Sequence, residues 1–463
     1  MNDSAVVGSA RPRKSAGAGA TVIAAFGGLL FGYDTGIISA ALLYIGPEFD
    51  LSDQAKEFVV ASLLVGAIIG VAAGGAIMDR IGRRRTLLAV AVLFLAGAIA
   101  SGLAASMVVL LLARILLGLA IGAASVAVPA YIAEIAPAHL RGRLVSVNQL
   151  MISSGILISY ITGYVLSDSQ AWRWMLAVAA VPALVMLVAL PLLPESPRWL
   201  LSQGRDGEAR ALLLRSRSAQ AVDDEIAEIT AAMRAEKTYT FRDLLSSRFR
   251  PGIILGVGVA ATNQLVGVNA VTYYTPTLLT GSGFGDSAAI LSSVGLGVAN
   301  VGFTLVGLLL VDRIGRRPLV LGGTGLVVLS LVVIGAVYAF TDLDGIWAGV
   351  LLTFLMVYQA SFSASLGLAM WLVNSEVFPT EVRGKAGSAG LATHWILNLL
   401  ISVTVLTTIN ALSPSGLFWL YAVLGGLGLL FLHRKLPETR GRTLEEIDAE
   451  LNGDVPARTP TAS

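Results

Sequence analysis

The chain has 463 residues, 55% of them hydrophobic and 13% charged, with a formal net charge of +2 and a mean hydropathy of +0.77. A soluble domain carries about 25% charged residues, so the composition excludes an ordinary soluble domain. With no Cys, it also excludes a disulfide framework and any cysteine-based metal or redox site.

Residues 1–17 read as a polar N-terminal tail whose Arg11, Arg13 and Lys14 lead directly into a full-length apolar span, which is not a signal-peptide pattern. That span contains "FGYDTGIISA" (Phe31–Ala40), and Asp34 is its one charged residue between Ser15 and Pro47. An acid inside an apolar span is costly and marks a functional site that needs a partner. Further along, residues 58–78, 86–107, 144–167, 174–193, 252–280, 287–311, 318–340 and 345–375 each lack Asp, Glu, Lys and Arg. Each is near or above the ~20 residues that cross a bilayer core as a helix. The charge-free run 386–432 is split in two by "NALSPSG" (Asn410–Gly416). Adding the Asp34 segment and Val108–Ala133 predicts twelve transmembrane helices: an all-α polytopic membrane protein embedded in a lipid bilayer.

The chain repeats itself. "DRIGRR" occurs at Asp79–Arg84 and at Asp312–Arg317, and E-x-x-P-x-x-x-R-G occurs at Glu134–Gly142 and Glu376–Gly384. "PESPR" at Pro194 and "PETRGR" at Pro437 each follow the last span of a half. Three motifs repeated in one order predict two six-helix halves, 18–193 and 251–436, with a substrate site at the interface between them. Between the halves, 194–250 is a charged helical loop, including "DDEIAEITAAMRAE" (Asp223–Glu236), and 437–463 is a polar tail. If the N-terminus and every even-numbered helix end are cytoplasmic, all but three of the 32 Lys and Arg lie on that side; Lys56, Arg114 and Arg173 are the exceptions. The positive-inside rule therefore places both termini in the cytoplasm. Arginine outnumbers lysine, and Ala and Gly are abundant, which points to a bacterial inner membrane.

Polar side chains are sparse in the spans. Helix five has Asn148 and Gln149; helix seven has Asn263, Gln264 and Asn269; helix eight has Asn300; helix eleven has His394, Trp395 and Asn398. At 1.5 Å per residue, Gln264 and Asn300 each lie ~18 Å into their helices from opposite ends, and so at a similar depth. One intramembrane amide is usually interhelical glue worth ~0.6 kcal/mol. Amides from several helices at one depth, with aromatic platforms, suit a ring that carries hydroxyls around its edge and has two apolar faces. No nucleophile–base set, metal cluster, phosphate loop or nucleic-acid-binding pattern is present, so neither an enzyme nor a cofactor is expected.

The motifs resemble, as a set, the sugar porter family of the major facilitator superfamily. They are "GGLLFGYDTGIISA" in helix one, "DRIGRRR" (Asp79–Arg85), "PAYIAEIAPAHLRGR" (Pro129–Arg143), "PESPRWLL" (Pro194–Leu201), "NQLVGVNAVTYY" (Asn263–Tyr274) and "PETRGRTLEEID" (Pro437–Asp448). The resemblance implies that Gln149, Gln264, Asn269 and Asn300 bind sugar, that Trp371 lies beneath it, and that Phe31 and Tyr273 form wall and outer-gate positions. It further implies gating ion pairs among Asp79, Arg80, Arg83, Glu134, Arg141, Asp312, Arg313, Arg316, Glu376 and Arg383. From the residues alone, these charges can pair across the seam between halves and complement helix dipoles. The sequence departs from the family at Asn263, where Gln is usual; at Leu368 and Met370, where helix ten usually has prolines; and at His394, where an amide is typical.

Asp34 lies ~20 Å up helix one, and Arg114 ~9 Å down helix four from its other end, so both fall in the outer half. They are the only acid and base well inside the spans, and pairing is the economical explanation. Desolvation raises a carboxylate's proton affinity and a nearby guanidinium lowers it. A pair whose separation changes with conformation would therefore couple protonation to transport, and in the family an Asp at this position resembles the proton-coupled members. The expectation is a proton-coupled hexose or pentose symporter, functional as a monomer. A proton-independent sugar or cyclitol facilitator is the alternative, and a non-transporting sugar sensor a remote one.

Overall fold

The computed structural model describes residues 15–135, 141–214, 218–238, 243, 246–343, 345–378, 382–442 and 444–452, which contain helices and no strand. The first half comprises α1 (Ser15–Glu48), α2 (Asp53–Ile81), α3 (Arg83–Gly102), α4 (Met107–Ile135), α5 (Arg141–Val165) and α6 (Trp172–Leu192). The second begins with α7 (Arg250–Gly281), α8 (Asp286–Ile314), α9 (Arg316–Phe340) and α10 (Gly345–Asn374). Helix α11 runs from Arg383–Ser402 into residues 405–412, and α12 is the remainder of Val405–Lys435. The two are separated at Ser413, where φ is 68°, inside the predicted "NALSPSG" break. Ten of these spans are long and apolar enough to cross a membrane by composition alone. The other two, α5 and α11, carry much of the polar set and pack inside the bundle, α5 against α1 and α8, and α11 against α7 and α2.

Lipid, not water, faces the bundle. Within the spans, Leu112, Leu309 and Leu427 are 62%, 66% and 60% exposed among many other outward apolar side chains, a continuous apolar surface suited to a lipid solvent. Because lipid gives helices no hydrophobic reason to associate, close backbone approach through small residues becomes the source of packing energy. The α2–α4 contact shows this: a Cβ on Gly118 would run into the Leu63 carbonyl oxygen, and one on Gly66 into that of Ile115.

The repeat seen in the sequence is a repeat of geometry. Gly82, between α2 and α3, has φ 99° and ψ 160°; Gly315, between α8 and α9, has φ 94° and ψ 163°. Only glycine adopts that turn without strain. Between the halves, short helices occupy Pro197–Ser202, Asp206–Leu213 and Ala219–Thr238, as the charged patterning predicted, and Leu444–Asn452 follows α12. The halves meet where α1 packs on the second segment of α7, α2 on α11, and α5 on α8.

Candidate functional site

Two helices in the second half break at mid-span. Helix α7 is interrupted at Gly267 (φ 80°), between the segments Arg250–Leu265 and Val268–Gly281. Helix α10 is interrupted at Ser365 (φ −125°, ψ −87°), although no proline stands there. The break in α7 places Asn263 and Gln264 in the last turn of one segment and Asn269 in the first turn of the next, so all three amides meet. Asn263 Nδ2 donates to the Leu366 carbonyl just past the α10 break at 2.9 Å, and Gln264 Nε2 donates to Asn263 Oδ1 at 2.9 Å. Asn269 Nδ2 donates to Gln264 Oε1 at 2.6 Å, and Gln264 Nε2 lies 2.9 Å from His394 Nδ1 on α11. An unbonded amide here would cost about 1–3 kcal/mol, so the network holds the broken helices together as well as lining a site.

Aromatic rings join this cluster to the first half. Trp395 lies 5.5 Å from Phe31 of α1 and, edge to face, 5.5 Å from His394. Its indole Nε1 is buried with no hydrogen-bond partner among the described residues. Tyr273 and Asn398 are buried, with Asn398 Nδ2 at 3.5 Å from the Tyr273 hydroxyl and Ser402 Oγ donating to Asn398 Oδ1 at 3.3 Å. Gln149 and Trp371 are each partly exposed.

The expected meeting of Gln264 with Asn300 resolves into two clusters. Asn300 Oδ1 accepts from Ser363 of α10 at 2.8 Å and from Ser153 of α5 at 3.1 Å, and Gln359 Nε2 donates to Ser363 at 3.1 Å. Ser153 joins α5 to α8 across the seam and Ser363 joins α10 to α8; both lie among other serines, at Ser154 and at Ser361 and Ser365, so nothing in the sequence singled them out. Asn148 points elsewhere again: its Oδ1 sits against Gly28 of α1, because one residue turns a helix by about 100° and separates it from Gln149.

Asp34 and Arg114 do come together, with Arg114 Nη2 3.8 Å from Asp34 Oδ2 and both residues 1% exposed. Arg114 Nε donates to the Val59 carbonyl of α2 at 2.8 Å. The pair is an ion pair without a direct hydrogen bond between these atoms, and Asp34 Oδ2 and Arg114 Nη1 have no hydrogen-bond partner among the described residues. It is therefore loosely held, unlike a bidentate carboxylate–guanidinium clamp. Asp34 lies three residues beyond Phe31 on α1, about one helical turn from the ring that meets Trp395.

At the end carrying the "DRIGRR" motifs, each half builds the same network. Arg83 Nε is 2.9 Å from Glu134 Oε2, and Arg316 Nη2 is 3.1 Å from Glu376 Oε1. Arg83 and Arg316 also reach Asp79 and Asp312, at 3.2 and 3.0 Å, but those acids are 71% and 68% exposed and such pairs contribute under about 1 kcal/mol. The sequence reading missed the centre of the network. Glu195 Oε1 accepts the backbone N–H groups of Arg83, Arg84 and Ser196, at 2.9, 3.0 and 2.9 Å. Glu438 likewise accepts those of Arg316, Arg317 and Arg440, at 2.9, 3.1 and 2.9 Å. Each carboxylate thus caps the N-terminus of α3 or α9. Ser196 Oγ donates to Glu134, and Thr439 Oγ1 to Glu376 at 2.6 Å. The repeated "PES" and "PET" were the available signal.

One expectation is corrected here. Among the described residues, the motif ion pairs lie inside each half and not across the seam. The buried partners, Glu134 at the end of α4 and Glu376 beyond α10, are packed beside the α2–α3 and α8–α9 turns of their own half, so each arginine is paired by the tertiary packing of that half. Arg80 and Arg313 are exposed. The side chains of Arg141 and Arg383 lie outside the described residues.

The seam is joined at the opposite end. Glu57 of α2, 3% exposed, accepts from the Thr407 N–H at 2.9 Å and from its hydroxyl at 2.8 Å. Asn410 Nδ2 donates to Asp53 at 3.1 Å, and the Tyr160 hydroxyl donates to the Thr272 carbonyl at 3.3 Å.

Comparison with known proteins agrees in outline. The family model described as "Sugar (and other) transporter" matches residues 20–451. The chain is 42% identical over 428 residues to the putative metabolite transport protein YwtG of Bacillus subtilis, covering 92% of this chain and 93% of that one. It is 39% identical to a D-xylose transporter of Levilactobacillus brevis, covering 92% and 94%. Among solved structures, the proton:xylose symporter XylE of E. coli, bound to 6-bromo-6-deoxy-D-glucose, superposes with a TM-score of 0.82 at 34% identity, covering 94% of this chain and 99% of that one.

Proposed function

The chain belongs to the sugar porter family of the major facilitator superfamily, and from that premise we propose that it is a proton-coupled monosaccharide symporter of the cell membrane working by alternating access. The observation that carries the reading is the buried Asp34–Arg114 pair at 3.8 Å, one turn along α1 from Phe31 and the amide cluster. Two opposite charges in a low-dielectric bundle are stable together and costly apart. When the halves rock, any change in the separation of α1 from α4 changes the affinity of Asp34 for a proton. Proton uptake neutralises the acid, leaves Arg114 held by its existing bond to the Val59 carbonyl, and lets α1 move with Phe31.

Sugar enters the same cycle through Gln264, Asn269 and His394, with Gln149, Trp371, Trp395 and Phe31 as further contacts. Helix breaks at Gly267 and Ser365 give α7 and α10 segments that tilt separately, so the cluster tightens around a bound ring. Hydrogen bonds between halves at Glu57 and Asp53 support an arrangement in which the site faces the motif end, which we place in the cytoplasm with both termini. In each half the Glu195 or Glu438 network ties the start of α3 or α9 to the segment that follows the last span of that same half, so that each half moves as a unit. That the chain relates to D-xylose and proton:xylose transporters supports a pentose or hexose as cargo and a proton as the coupling ion.

The test is uptake into proteoliposomes under an imposed pH gradient. Concentrative uptake of D-xylose or D-glucose, with proton entry on sugar addition to de-energised vesicles, is the expected result. Uptake that equilibrates without moving protons would make the protein a facilitator.

A further inference from the structure

The hydrogen bonds around Gln264 have a direction, and it can be followed from a fixed starting point. A backbone carbonyl only accepts, so the Leu366 oxygen requires that the atom of Asn263 facing it be Nδ2, at 2.9 Å. That leaves Asn263 Oδ1 toward Gln264, which must then present Nε2 to it, at 2.9 Å. Gln264 Oε1 accordingly points at Asn269 and accepts from its Nδ2 at 2.6 Å. The same Gln264 amino group lies 2.9 Å from His394 Nδ1, which therefore accepts. A neutral imidazole that accepts at one nitrogen carries its proton on the other. Reversing any amide in this chain would set two acceptors or two donors face to face.

We propose that Asn263 is a positioning residue and not a sugar ligand: the Leu366 carbonyl at the α10 break, acting through the Asn263 amide, sets the donor and acceptor pattern that the site offers its substrate. Each polar group of Asn263 makes one hydrogen bond inside the network, and at 3% exposure its remaining N–H and lone pair are not presented to a sugar. What the network leaves for a substrate hydroxyl is an Asn269 Oδ1 acceptor and a His394 Nε2–H donor. Both residues are partly exposed. The inference rests on the reading that this cluster binds monosaccharide. It adds that recognition is polar in a fixed sense, and that the sense is tied to the conformation of α10. A shift of Leu366 away from Asn263 releases the whole pattern at once.

The decisive experiment reads the His394 tautomer by nitrogen-15 NMR of histidine-labelled protein in bilayers, assigned by comparison with His394→Asn. The chain has three histidines, so the spectrum is simple. In the sugar-free protein at neutral pH, His394 is expected as the Nε2-protonated tautomer. Asn263→Ala is expected to produce a mixture of tautomers and to weaken D-xylose or D-glucose binding by about tenfold, whereas Asn263→Gln, which keeps both amide groups, retains the native tautomer. An Nδ1-protonated His394 in the native protein overturns the proposal, and needs no variant to fold. So does a tautomer unchanged by Asn263→Ala, or one shifted as far by Asn263→Gln, since packing and not polarity would then be the cause. Sugar titration separates this from the functional reading. If neither sugar moves the His394 resonance while the tautomer follows Asn263, the polarity stands and the sugar assignment falls. If sugar moves it while the tautomer ignores Asn263, the reverse holds.

Discussion

Glu57 on α2 and Thr407 on α11 belong to different halves of the molecule, and the carboxylate of one receives both the backbone N–H and the hydroxyl of the other, at 2.9 and 2.8 Å. Thr407 lies in the first turn of the α11 segment that resumes at Val405, so the contact is also an anion at the N-terminus of that segment. Asp53 and Asn410 repeat the join one turn away. Moving the halves apart at this end requires giving up these bonds together.

Cross-linking tests that relationship on a clean background, since the chain has no native Cys. Oxidation of the double variant Asp53→Cys with Asn410→Cys should form a disulfide, stop sugar uptake and leave the protein folded, and a reductant should restore uptake. Full transport by the oxidised protein would mean that this end of the seam does not open.

Asp34→Asn should abolish accumulation of sugar against a gradient while sparing equilibrium binding, because the carboxylate is not assigned to the sugar. Its uptake should also lose dependence on the imposed pH gradient. Arg114 would be left as a buried, unpaired charge, so lower expression by a few kcal/mol of lost stability is expected and must be normalised. Undiminished concentrative uptake would leave Asp34 a structural partner of Arg114 and nothing more.

Gln264→Ala removes the hub that bonds Asn263, Asn269 and His394. Sugar binding in the purified variant should weaken by about 2 kcal/mol, the cost of polar groups left without partners. Asn300→Ala, in the separate serine cluster, should act chiefly on stability, and a melting curve run beside a binding isotherm distinguishes the two.

Glu195→Gln and Glu438→Gln should each cost about 1–2 kcal/mol through weakened caps on α3 and α9. Because the two networks sit in different halves and share no partner, the double variant should lose the sum of the two single losses. A strongly non-additive double variant would indicate that the networks communicate.

Much of this was legible in the sequence because a bilayer imposes few choices. An apolar stretch of about 20 residues must be a helix there, since every backbone polar group has to be satisfied internally. Twelve spans, two halves and the Asp34–Arg114 pairing all follow from that constraint together with the cost of a lone buried charge. The repeated motifs likewise announced a repeated turn at Gly82 and Gly315. Tertiary structure decided which polar groups share a partner, because side-chain direction turns by about 100° with each helical residue. Depth along a helix therefore placed Gln264 and Asn300 together, while rotation and the break at Gly267 set them in different clusters. The same holds for Glu195 and Glu438, whose carboxylates act on backbone N–H groups that no sequence pattern displays. The ion pairs stayed within the halves for the same kind of reason: helix packing inside each half set Glu134 beside Arg83 and Glu376 beside Arg316, acids 51 and 60 residues away in the chain.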